Sequence, residues 1–190
     1  LVQREIYPQF IAALQTAAQA YTPGDPLNPA TRMGAIVDQI QYDKVLAYIA
    51  SGKSEAEYIC GGDAVMTETG LFITPAIFKT APDTTIAREE IFGPVLSVLS
   101  FTDAADVVKQ ANASVYGLQA AVWTRDINKA HGVARALRAG TVHVNSYDED
   151  DITVPFGGFK QSGVGRDKSL HAFDKYTETK TTWIRIDSPV

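Results

Sequence analysis

The stretch Val95-Leu96-Ser97-Val98-Leu99, with the segments 103–113, 119–123, 126–139 and 141–145 that follow it, decides the fold. Residues 95–99 are apolar apart from Ser97 and include two β-branched valines, and they enter directly after Gly93-Pro94, which reads as a strand behind a turn. Residues 103–113 open on an acidic side chain and read as a helix. Residues 119–123 read as a strand, 126–139 as a helix closed by Gly140, and 141–145 as a strand again. Parallel neighbours need a crossover of about a dozen residues, so this alternation predicts an α/β fold with a largely parallel sheet.

Toward the N-terminus, Ile6, Phe10, Leu14 and Ala17 recur at steps of three and four and predict a helix over residues 4–21. Pro8 is tolerated in its first turn, and the cluster Thr22-Pro23-Gly24-Asp25-Pro26 should end it. A second helical stripe, Ile36, Ile40, Val45 and Ile49, is expected to stop at Ser51-Gly52. Tyr58-Ile59-Cys60 and Leu71-Phe72-Ile73 read as short strands. Beyond Tyr147 an irregular, acidic and glycine-rich stretch runs through Gly165, and loops of that length are usually functional or disordered. Gly163-Val164-Gly165 reads as a structural turn. A short helix near 168–173 and a last strand over 179–186 complete the pattern.

The formal charge of -5 provides no electrostatic footprint for nucleic acid or an anionic membrane. No apolar run approaches the roughly 20 residues of a membrane span, and no secretory leader pattern is present, so a cytoplasmic address is expected. The single cysteine, Cys60, excludes an intrachain disulfide and a multi-cysteine metal site. It lies in an apolar run and reads as buried and inert. His131, His143 and His171 lack metal-ligand spacing, so no metal is expected. Walker, serine-elbow, HExxH and GxGxxG patterns are all absent. Asp148-Glu149-Asp150-Asp151 lacks the spacing of a calcium loop. Both a solvated acidic loop and a substrate-facing one fit it, and charges packed so closely either splay into water or meet a cation.

Five motifs then occur in order. Glu89-Glu90-Ile91-Phe92-Gly93-Pro94-Val95 is followed by Asn112-Ala113-Ser114-Val115-Tyr116-Gly117-Leu118 and by Ala139-Gly140-Thr141-Val142-His143-Val144-Asn145. Pro155-Phe156-Gly157-Gly158-Phe159-Lys160-Gln161-Ser162-Gly163 and Tyr176-Thr177-Glu178-Thr179-Lys180-Thr181 close the series. Together they resemble the aldehyde dehydrogenase superfamily, over essentially the whole chain. The resemblance implies that Glu90 takes the nicotinamide ribose hydroxyls and that Phe92 packs beside the nicotinamide end, although a charged residue at a loop edge would look the same. It implies an aldehyde tunnel lined by Phe156, which could equally be a core phenylalanine. The stretch 145–156 and the segment after Gly165 look most like the gamma-glutamyl-gamma-aminobutyraldehyde dehydrogenases of putrescine breakdown. That likeness makes Tyr147, Asp148, Glu149, Asp150 and Asp151 the expected substrate pocket beside Phe156, suited to an amine-bearing aldehyde.

The family's chemistry uses a cysteine thiolate, a glutamate base, an oxyanion-holding asparagine and NAD or NADP in a Rossmann-type domain. None of these is expected within the 190 residues, because Cys60 falls at the wrong place in the motif order and the chain begins at Leu1 without an initiator methionine. The expectation is therefore a C-terminal piece, inactive alone, with no catalytic residue and with NAD or NADP bound only in the intact enzyme. Residues 1–175 would form part of a catalytic domain, and 176–190 a strand and tail for self-association as homodimer or homotetramer. A free-standing interaction module is the alternative; an α/β hydrolase lacks its serine elbow.

Overall fold

The computed structural model describes residues 1–67 and 70–187. The chain divides into two compact units, Leu1–Gln110 and Ala111–Val190. In the first, β1 (Val2–Gln3) leads through a 3-10 turn into α1 (Tyr7–Ala18), and α2 (Gln39–Glu55) precedes β2 (Glu57–Cys60). Then come β3 (Ala64–Thr67), β4 (Gly70–Ile73), β5 (Ala76–Lys79), the single turn α3 (Thr85–Arg88), β6 (Val95–Val98) and β7 (Ser100–Phe101). Helix α4 (Ala104–Asn112) runs across the boundary, and the second unit contains β8 (Gln119–Val122), α5 (Ile127–Ala136) and β9 (Thr141–Val144).

The first unit is organised around β5, which lies between antiparallel β2 and parallel β6. Successive strand side chains point to opposite faces. Ala76 and Phe78 accordingly join Tyr42, Val45 and Ile49 of α2, whereas Ile77 joins Val2, Ile11 and Val98. Phe78 is wholly buried, which is worth roughly 2–3 kcal/mol in apolar burial. This strand escapes a sequence reading: it is four residues long, preceded by Pro75, ended by Lys79 and buried on both faces, so no alternation marks it.

Helix α2 does not stop at Gly52 as expected but continues to Glu55. Gly52 is there for packing: a Cβ would lie 3.0 Å from Ile86 Cδ1 and 3.1 Å from the Phe78 ring. The added turn brings the Glu55 carboxylate to the start of α3, where it accepts from Thr85 N at 3.0 Å and Ile86 N at 3.4 Å. The backbone N–H of Thr85 and its neighbours hold the Glu55 carboxyl below the usual range. A depressed folded-state pKa adds stability above the unfolded value, about 4.3, and that part is lost as pH falls through the folded value. The denaturant midpoint should therefore decline more steeply in the wild type than in Glu55→Gln as pH drops below about 4.3. Parallel curves for the two proteins would refute this.

In the second unit β8 and β9 pair in parallel, Gln119 opposite Thr141 and Val122 opposite Val144. Asp126 caps α5, accepting from Asn128 N and Lys129 N. The helix ends at Ala136, three residues before the expected end. The Asn112 side chain explains this, since it donates to Ala136 O and accepts from Arg138 N, drawing the chain out of helical geometry. The short helix expected near 168–173 is a 3-10 segment, Leu170–Lys175.

One further expectation holds in part and one is corrected. Parallel pairings prevail, β1–β7, β5–β6 and β8–β9 against antiparallel β2–β5 and β3–β4, but among the described residues they are spread over four small sheets rather than one. The expected strand over 179–186 is not formed, because a strand requires a hydrogen-bonding neighbour and the chain offers none among the described residues. Positions 188–190 of the expected tail lie outside the described residues. No helix among the described residues is long and apolar enough to cross a membrane.

Candidate functional site

Two loops carry the candidate residues, one on each unit. In the first unit residues 89–94 connect α3 to β6. Ile91 is buried against the α2 core and anchors the loop, while Glu90 and Phe92 on either side point outward and are exposed. Phe92 is 78% exposed and sits at φ 53, in the left-handed region that costs a bulky L-residue about 1 kcal/mol or more. Helix α2 holds this conformation. Gln41 Nε2 donates to Ile91 O and Phe92 O, both at 2.8 Å, and Tyr48 Oη donates to Glu89 Oε2 at 2.6 Å. Val45 presses on Gly93, where a Cβ would come within 2.4 Å of Val45 Cγ2. Among the described residues no hydrogen bond or ion pair engages the Glu90 carboxylate, so its oxygens remain able to accept.

In the second unit the acidic loop and residues 166–169 are cross-tied. Phe156 and Asp167 exchange backbone hydrogen bonds at 2.8 and 2.7 Å, and Ser169 N donates to Ile152 O. The Lys168 ammonium pairs with Asp150 and lies 5.5 Å from the Phe156 ring centre. Asp151 accepts from both the hydroxyl and the backbone N–H of Thr153, contacts that hold its carboxyl below the usual carboxylate range and keep it ionised. An open hollow of about 280 Å³ is lined by Thr141, Glu149, Asp150, Asp151, Val154, Pro155 and Phe156. It therefore gathers Glu149, Asp150, Asp151 and Phe156, whereas Tyr147 and Asp148 are not among its walls. Tyr147 is exposed and tilts against the His143 ring with centroids 6.5 Å apart.

The motifs 112–118 and 155–163 are tied to each other. Lys160 Nζ donates to Asn112 O and Ser114 O, and Ser162 Oγ accepts from Gly117 N. These bonds fasten the segment after Phe156 to the segment before β8. Gly163 and Gly165 adopt positive φ, as a turn requires. Cys60 lies half-buried in β2, and burial pushes its thiol up, away from the thiolate a nucleophile needs. No group of three or more potential metal ligands occurs among the described residues.

Gln41, Tyr48 and Lys168 escape a sequence reading. Gln41 and Tyr48 are polar or aromatic positions on an amphipathic helix, and nothing local reveals a partner 50 or 41 residues away.

What these loops and staples define is an α/β chain presenting an acidic and an aromatic side chain from a clamped turn. The aldehyde dehydrogenase family model matches residues 1–182. NADP/NAD-dependent aldehyde dehydrogenase PuuC of Escherichia coli (strain K12) is 48% identical over 191 residues, covering 99% of this chain and 38% of that protein. The structure of gamma-glutamyl-gamma-aminobutyraldehyde dehydrogenase from Burkholderia cenocepacia J2315 superposes with a TM-score of 0.91 at 56% identity, covering 93% of this chain and 36% of that one. That of an indole-3-acetaldehyde dehydrogenase complexed with NAD+ superposes with a TM-score of 0.92 at 54% identity, covering 97% and 38%. This chain belongs to the aldehyde dehydrogenase family. It spans about two fifths of the length of the curated relatives it matches.

Proposed function

We propose that this chain supplies the nicotinamide-ribose contact and part of the aldehyde-binding wall of an NAD(P)-dependent aldehyde dehydrogenase of the cytoplasm. Its substrate is an aminoaldehyde such as gamma-glutamyl-gamma-aminobutyraldehyde, oxidised to the carboxylic acid in the breakdown of putrescine. The observation that carries the reading is the presentation of Glu90 and Phe92: an exposed carboxylate without a described partner beside an exposed ring in a left-handed backbone. A carboxylate can accept two ribose hydroxyls at once, and an outward aromatic face offers apolar area to a flat ring. The bound nicotinamide would accept hydride from the substrate; the residues of this chain bind and orient. On the second unit Glu149 and Asp151 leave negative charge at the hollow after Lys168 has matched Asp150, which favours an ammonium-bearing aldehyde over an anionic one.

In this reading residues 1–175 belong to a catalytic domain and 176–190 form a self-association strand and tail. Trp183, Ile184 and Ile186, at 93, 77 and 84% exposure, support such pairing, since apolar side chains of this size are seldom left in water together. In this reading the 190 residues alone supply no activated thiol, since Cys60 is the sole cysteine and burial pushes its thiol pKa up.

One assay tests the proposal. NADH formation at 340 nm is measured for the 190 residues alone and for the complete dehydrogenase carrying them. The expectation is none from the former. From the latter, kcat/KM on gamma-glutamyl-gamma-aminobutyraldehyde should exceed that on indole-3-acetaldehyde and succinic semialdehyde by about tenfold or more, the ratio set by a difference of roughly 1.4 kcal/mol. Turnover by the short chain would sink the first part, and equal or better use of succinic semialdehyde the second.

A further inference from the structure

We infer that Gln41 is the positioning residue for the cofactor loop, acting through the backbone of Ile91 and Phe92; the inference rests on the reading of Glu90 and Phe92 as cofactor contacts. The geometry suits a primary amide. One nitrogen bearing two hydrogens faces two carbonyl oxygens, each 2.8 Å away, on adjacent residues. The two carbonyls belong to the peptide units on either side of the Phe92 Cα, the residue held at φ 53. Without that tie an L-phenylalanine would relax toward negative φ, and both its ring and the neighbouring Glu90 side chain would turn with the backbone.

Gln41 is itself fixed. It stands in the first turn of α2, where the Asp38 carboxylate caps its backbone N–H at 2.8 Å, and Tyr42 and Val45 seat the helix in the core. Gln41, Val45 and Tyr48 follow at steps of four and three, so they lie on one stripe of the helix. The stripe meets the loop at three successive points: Tyr48 on Glu89, Gln41 on Ile91 and Phe92, and Val45 on Gly93. Tyr48 engages one of the two adjacent glutamates, and Gln41 sets the backbone that presents the other.

The test uses the complete dehydrogenase. Gln41→Glu keeps shape and length and suits a first helical turn, where a negative charge is favourable, yet at neutral pH it offers no hydrogen to either carbonyl. Gln41→Met removes the donor without adding charge. Two readouts are taken without turnover: hydrogen exchange of the Glu89 and Val95 amides, which bracket the loop and bond to Thr85 O and Gly93 O, and NAD+ affinity by calorimetry. Both variants should show exchange at those amides about tenfold faster and NAD+ binding about tenfold weaker, the scale of one or two lost hydrogen bonds. The melting temperature should stay close to that of the wild type. Glu90→Ala, measured alongside, should weaken NAD+ without speeding exchange. Unchanged exchange in both Gln41 variants overturns the clamp. Faster exchange with unchanged NAD+ affinity, where Glu90→Ala does weaken binding, overturns its role in positioning. If Glu90→Ala leaves NAD+ affinity intact, the cofactor reading of Glu90 itself has failed.

Discussion

Gly140→Ala is expected to cost the second unit at least about 3 kcal/mol, enough to consume much of the stability of a small domain. An alanine Cβ there would lie 1.7 Å from Gly157 O, 2.8 Å from Gly157 C and 3.4 Å from Gly158 Cα. All three neighbours are backbone atoms, so no side chain can swing aside. Nor can the opposing chain retreat. Phe156 just before it is tied in both directions to Asp167, a Cβ on Gly157 would already come within 2.5 Å of Gly165 O, and Gly158 is as close to Ser162. The two glycine motifs are thus the two sides of one close backbone approach beside β9. Gly132→Ala is the control. It sits inside α5 with nothing within 4 Å of its Cβ, and exchanging glycine for alanine in a helix should stabilise by about 0.5–1 kcal/mol. Thermal or urea unfolding of both variants checks the pair; a Gly140→Ala protein as stable as the wild type would show that the approach can open.

Helices α1 and α2 are legible because apolar side chains recur at the helical period, and α4 and α5 because Asp103 and Asp126 open them, signals that act locally. What is not legible depends on distant partners. Helix α2 outlasts Gly52 because Phe78 and Ile86 fill the space where a Cβ would stand, and α5 falls short because Asn112 captures its last carbonyl. The same holds for the site. The motif residues Glu90, Phe92 and Phe156 are found by pattern, but the order in the acidic loop comes from Lys168 and Thr153, which no local rule links to Asp150 and Asp151. Phe92 provides the converse lesson. Its backbone strain is invisible in sequence, and an outlier held by three contacts from one helix is itself a reason to look for a task at that place.

On the proposed function, Glu90→Ala in the complete dehydrogenase is expected to weaken the handling of NAD(P)+ by about 10- to 100-fold, the range for hydrogen bonds to a charged acceptor. Two causes would each produce a loss: the hydroxyl contacts themselves, and the attraction between the carboxylate and the positively charged nicotinamide ring of the oxidised cofactor. Glu90→Gln separates the two: it removes the charge but retains one acceptor oxygen, so its loss should fall between those of wild type and alanine. Folding offers no competing explanation, since Glu90 is exposed and has no described partner to lose, and surface changes of that kind stay within about 0.5 kcal/mol. Calorimetric NAD+ titration with parallel melting curves makes the measurement. Affinity unchanged or improved in Glu90→Ala, at an unchanged melting temperature, would remove Glu90 from the ribose and leave the exposed, strained Phe92 without its neighbour's explanation.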